Sequence, residues 1–173
     1  MTVLAMSIGN STFAVGPVTV DFGAEQVRRL PVPVLTDWYR CRDLLLDVAG
    51  DDEITAIGIA CADTVYGPMT AATMQRRPGG FTVVAAMRRL FPVAVVEMAT
   101  DRLCETLAQR TFGVGYQVEP ALAGAGVLAL LAEERAEGRE PAGYGVNPSA
   151  RFRRARAGRI VSDRNRCRRR PLP

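Results

Sequence analysis

Apolar and polar positions alternate from the start of the chain. Val3, Leu4, Met6 and Ile8 form an apolar strand, Gly9-Asn10-Ser11 is turn chemistry, and residues 12–15 begin a return strand. The pattern predicts a β-hairpin over residues 3–20. Val18, Val20 and Phe22 extend the alternation. Residues 29–34 (RLPVPV) read as a short edge strand, since prolines cannot donate to a ladder. The period then lengthens. Trp38, Cys41, Leu45 and Val48 share one helical face, Thr36 or Asp37 stands where the cap belongs, and Gly50 stops the run.

Residues 54–60 (ITAIGIA) predict a buried strand, 81–90 a helix with Val84, Met87 and Leu90 on one face, and 92–96 (PVAVV) another buried strand. Residues 64–77 are loop-like. A helix is expected from Asp101, with Leu103, Cys104, Leu107 and Ala108 as its apolar stripe and Gly113 as its end. Residues 121–137 predict a last helix with Leu122, Val127, Leu130 and Leu131 inside. The order is that of an α/β fold with a mixed sheet, an antiparallel hairpin edge joined to parallel strands, and flanking helices.

Past Gly138 the pattern dissolves. The expected organisation is one domain over residues 1–138 and a basic tail over 139–173, whose Gly, Pro and Arg content predicts disorder. The net charge of +4 hides a segregation. Residues 151–173 hold ten arginines and one acid, net +9, whereas residues 1–150 are net −5. Such a tail has two readings. It is either an arm for nucleic acid or an acidic partner, or a terminus left by truncation or a frameshift. Its single aromatic, Phe152, and the lack of a reader motif favour the second.

Composition narrows the chemistry. Apolar residues make up 48% and charged residues 23%, as in ordinary soluble domains. The chain has no lysine, which excludes Schiff-base chemistry and a Walker-type phosphate loop. It has no histidine, which excludes Ser-His-Asp and Cys-His nucleophiles and histidine metal sites. The four cysteines form no CxxC pair, so no metal ligand set is expected; Cys61 and Cys104 read as small buried hydrophobes. No apolar run approaches the ~18–20 residues of a membrane span, and residues 1–9 lack a basic leader. The expected compartment is the cytoplasm.

Residues 4–16 (LAMSIGNSTFAVG) resemble the opening strand and turn of ROK-family sugar kinases. Residues 54–65 (ITAIGIACADTV) resemble the strand before that family's Pro-Gly loop, and 78–81 (PGGF) its sugar loop. Residues 93–115 (VAVVEMATDRLCETLAQRTFGVG) resemble the segment with the catalytic Asn-Asp, a helix and a Phe-Gly-x-Gly end. The resemblance covers residues 3–116 and rests on the order of short blocks. It implies half of an actin-like ATPase fold, of the ribonuclease H-like kind. It also implies ATP with Mg2+ as phosphoryl donor and a hexose as acceptor. Gly9, Asn10, Ser11 and Thr12 would then bind phosphate, Asp101 would be the base, and Gly79, Gly80 and Thr100 would contact the sugar.

The chain departs from the family at named positions. Ser7 stands where the family has an aspartate that helps hold magnesium, a neutral group where a hard cation needs charge. Thr100 and Leu103 replace two asparagines around the catalytic aspartate, and Ala62-Asp63 replaces Pro-Gly. Residues 123–127 (AGAGV) are a displaced echo of an adenosine-binding glycine motif. Type III pantothenate kinases are a second resemblance, through Ile8-Gly9-Asn10 and residues 44–60, although their later Gly-Thr-Ala-Thr-Thr block is absent. A third reading is a non-catalytic binding or regulatory module, as a homodimer or with a complementing chain. Two plain readings also stand open: Gly9-Asn10-Ser11 as a simple hairpin turn, and Asp101 as a helix N-cap.

Overall fold

The computed structural model describes residues 2–19, 26–31, 34, 37–63, 82–113 and 119–138. Strand β1 (Thr2–Ile8) turns back through residues 9–12 into β2 (Phe13–Pro17), pairing antiparallel from Ile8↔Phe13 to Leu4↔Pro17. The predicted hairpin is therefore present. Strand β3 (Arg28–Leu30) adds to β2, antiparallel, at the sheet edge. It is shorter than the expected 29–34, because Pro31 has no N–H to continue the ladder. Val20 and Phe22 lie outside the described residues.

Helix α1 (Trp38–Ala49) buries Cys41, Leu45 and Ala49 and ends at Gly50, whose φ of 55 suits a residue without Cβ. Asp37 takes the N-cap place but makes no capping bond; its carboxylate accepts instead from Arg40 at 3.3 Å. Strand β4 (Ile54–Cys61) lies parallel to β1. Helix α2 (Val83–Leu90) starts at Thr82, whose hydroxyl accepts the N–H of Ala85 at 3.1 Å.

Strand β5 (Val95–Thr100) runs parallel to β4. It begins three residues later than the expected strand at 92–96 and extends four further. Pro92 and Val93 sit in a turn closed by Ala94 N–H to the Phe91 carbonyl at 3.0 Å, and Val93 is 70% exposed. Helices α3 (Asp101–Phe112) and α4 (Pro120–Ala136) complete the described chain. Leu103 is half exposed, so the buried stripe of α3 is Cys104 and Ala108.

The sheet order is β3-β2-β1-β4-β5, with an antiparallel hairpin edge and three parallel strands. The arrangement is a mixed α/β sheet with helices on both faces. The two faces differ in side-chain size. One carries Leu4, Met6, Ile8, Phe13, Val15, Ile57 and Ile59, packed with Cys41 and Leu45 of α1 and Val83 and Met87 of α2. Burying each such large side chain contributes about 1.5–3 kcal/mol.

The other face carries Ala5, Ala14, Ala60 and Ala99 beneath α3 and α4. Small residues let α4 lie close to the backbone of the sheet. A Cβ on Gly58 of β4 would fall 1.8 Å from the carbonyl oxygen of Ala125 in α4. A Cβ on Gly124 of α4 would fall 1.7 Å from the carbonyl oxygen of Cys104 in α3. The AGAGV segment is thus helix interior, with Gly124 used for packing rather than as a nucleotide loop. The buried side of α4 is correspondingly Ala, Gly and Val with Leu122 and Leu128, while Leu130 and Leu131 are only half-buried.

Candidate active site at the carboxyl edge of the sheet

Three parallel strands end in one row. Ile8 of β1 pairs with Cys61 of β4, and Cys61 pairs with Thr100 of β5. The N–H of Ala62 donates to the Ile8 carbonyl at 2.9 Å, which fixes the strand ends to each other. Gly9, Ala62 and Asp101 therefore leave the sheet side by side. Two inter-strand spacings separate the Gly9 and Asp101 backbones, about 10 Å. In open α/β sheets, ligands bind outside such carboxyl ends.

On the β1 side the turn is Gly9 to Thr12, closed by Gly9 N–H to the Thr12 carbonyl at 2.8 Å. A Cβ at Gly9 would lie 2.4 Å from Thr12 Oγ1, so a larger residue there requires the exposed Thr12 side chain to rotate away. Asn10, Ser11 and Thr12 are exposed. Ser7 lies one residue before the edge, half-buried, paired to Ala14 and Ala60. Alternation puts it on the Ala5 face, under α3 and α4.

On the β5 side the strand passes directly into α3. Thr100, not Asp101, is the N-cap, and its Oγ1 accepts the N–H of Leu103 at 3.4 Å. Asp101 is the first helical residue, and its Oδ1 is buried with no hydrogen-bond partner. Burial raises its carboxyl above the usual carboxylate range, and the charges of Glu105 and then Asp63 push it further the same way. No sequence pattern marks Glu105, and Asp63 stands out only as a departure from the family's Pro-Gly. Glu105 sits one helical turn beyond Asp101 on the same side of α3, and Asp63 follows β4 much as Asp101 follows β5.

The thiols near this edge are inert. Burial, with the Asp101 charge second, pushes Cys61 and Cys104 up to about 12, so both stay protonated. Among the described residues no three His, Cys, Asp or Glu side chains are grouped to hold a metal ion. The structure thus brings Gly9, Asn10, Ser11, Thr12, Thr100 and Asp101 to one edge. Gly79 and Gly80 lie outside the described residues, as do residues 139–173. No described helix is long and apolar enough to cross a membrane.

No family model matches the chain, and no curated protein matches it in sequence. Solved structures similar to it include a Listeria monocytogenes protein proposed as an N-acetylmannosamine kinase, at 19% identity and TM-score 0.48, covering 66% of this chain and 40% of that one. A proposed sugar kinase of Cytophaga hutchinsonii follows at 15% identity and TM-score 0.41, covering 63% and 39%. The inorganic polyphosphate/ATP-glucomannokinase of an Arthrobacter species has 15% identity and TM-score 0.41, covering 68% and 51%. The chain spans about half or less of the length of each of these structures.

Proposed function

We propose that this chain is a ROK-type, glucokinase-like half-domain built for ATP-dependent phosphoryl transfer to a hexose hydroxyl. The observation that supports this reading is the row formed by Gly9, Ala62 and Asp101 at the ends of three parallel strands. It sets the backbones of an exposed turn of small residues and of a half-buried aspartate about 10 Å apart, a span suited to a terminal phosphate and an acceptor hydroxyl between them.

In this reading the turn holds the phosphates of ATP, a task for closely approaching backbone N–H groups. Asp101 accepts the proton of the acceptor hydroxyl as its oxygen bonds the γ-phosphorus. The bond from that phosphorus to the bridging oxygen breaks, and its electron pair leaves with ADP. The raised pKa of Asp101 makes its ionised form a stronger base than an ordinary aspartate. The described residues do not fit a protein-held Mg2+. Ser7 supplies no charge, and no metal-ligating group of three is present, so no step is routed through the ion.

The test is hexose phosphorylation with Mg-ATP by the full chain and by Asp101→Asn. Glucose and N-acetylmannosamine serve as acceptors, with pantothenate run beside them. Loss of ADP release on that substitution supports the reading; undiminished release rejects it. A non-catalytic nucleotide- or sugar-binding module is the second reading, favoured by Ser7 at the magnesium-side position. A second copy or a complementing chain would complete the site. Calorimetric binding without turnover, together with a dimer mass in solution, supports that alternative.

A further inference from the structure

Asp101 opens α3, but a neighbour caps the helix. Thr100 has the extended backbone of an N-cap, with φ −70 and ψ 153, and its Oγ1 accepts the first-turn N–H of Leu103. An aspartate at a helix start has a competing local use, because its short carboxylate readily folds back onto those same N–H groups. Here Asp101 Oδ1 is buried and accepts nothing.

We propose that Thr100 is a positioning residue for Asp101: its hydroxyl takes the capping bond, which keeps the Asp101 carboxylate out of the helix and available at the carboxyl edge. This rests on the reading of Asp101 as the proton acceptor. It gives position 100 a role through the helix, whereas the family resemblance implies a direct sugar contact there.

Among the described residues, the charged groups acting on Asp101 give it no other tether. The charges among these residues that act on it are those of Glu105 on α3 and Asp63 after β4, both acids. The Cys61 and Cys104 thiols that feel its charge are neutral. Two acids repel the carboxylate and two thiols offer it no cation. Among the described residues, the occupied capping site is therefore the contact that keeps Asp101 from turning inward.

The experiment compares Thr100→Val, which keeps the shape and removes the hydroxyl, with Thr100→Ser and Thr100→Asn, which both cap. The readout is the NMR titration of the Asp101 carboxyl carbon in the full chain, identified by its loss in Asp101→Asn. The valine variant is expected to lower the Asp101 midpoint by about one pH unit, because a carboxylate accepting backbone N–H groups is stabilised in its charged form. The serine and asparagine variants are expected to keep the parent midpoint.

A parent-like titration in Thr100→Val overturns the proposal. So does a shift in Thr100→Ser or Thr100→Asn, which also decides the matter should the valine variant fail to fold. Full phosphoryl transfer by Asp101→Asn would remove the proton-acceptor reading instead, and the titrations would still show whether Thr100 holds the carboxylate.

Discussion

Gly58 in the middle of β4 lies against the carbonyl of Ala125 in α4, so close that a methyl group would sit 1.8 Å from the oxygen. Gly124 stands in the same relation to Cys104, at 1.7 Å. Both neighbours are backbone and cannot swing aside.

In an exposed helix interior, Gly→Ala stabilises by about 1 kcal/mol. At Gly124 the sign is expected to invert. Gly124→Ala and Gly58→Ala should each destabilise by about 3 kcal/mol or more, since each forces two packed layers apart. Urea unfolding midpoints at constant slope measure this; a stabilised Gly124→Ala would contradict the close approach.

Asp101 makes stability depend on pH in a defined direction. Its folded pKa is raised above the ordinary 3.8, so between those two values the folded state holds the extra proton. Stability falls as pH rises from about 3.8 through the raised value, then levels. Asp101→Asn is expected to abolish that decline and to be more stable than the parent at neutral pH, while losing phosphoryl transfer. Denaturant titrations of both proteins across this pH range check it.

Glu119, the residue before α4, has a left-handed φ of 46 and pairs with Arg29 of β3 at 2.5 Å. Both side chains are more than a third exposed, which limits the pair to about 0–1 kcal/mol. A left-handed conformation costs a non-glycine residue about 1–2 kcal/mol. Glu119→Ala loses the pair and keeps the strain; Glu119→Gly loses both. The glycine variant is expected to exceed the alanine variant by about 1 kcal/mol in thermal unfolding, and equal values would refute a strained backbone there.

The buried thiols should resist modification. Cys41 is pushed up to about 11 by burial, and Cys61 and Cys104 to about 12. In Cys167→Ser, at about pH 8, none of the three is expected to react with a thiol reagent until urea unfolds the chain. Rapid labelling of the native protein would show that these sites open locally.

Elements whose large side chains alternate or recur were legible in the sequence. Leu4, Met6 and Ile8 announced β1, and Cys41 and Leu45 announced α1. Strand β5 was displaced because the apolar run at 93–96 outweighed Glu97 and Thr100, which a strand at the described sheet edge tolerates. The inner side of α4 was assigned to leucines, because periodicity weighs bulk, whereas contact with a flat alanine surface selects glycine and alanine. Gly9 was legible as the turn that follows β1, and Asp101 as the start of a helix and through the family resemblance, since the expected strand before it ends at 96. Asp63 and Glu105 were not, since their nearness to Asp101 comes from strand register and helical rise. Asp101 as an N-cap was a fair reading, but the cap belongs one residue earlier, to Thr100.

The unequal faces of the sheet set different rules for its history. Where Leu4, Ile57 and Ile59 interlock with α1 and α2, one hydrocarbon shape can be exchanged for another of similar volume. Where Gly58 lies under α4, any enlargement collides with main chain, and relief requires a simultaneous change on a second element. Descendants of this chain should therefore drift freely on one side of the sheet and stand nearly still on the other.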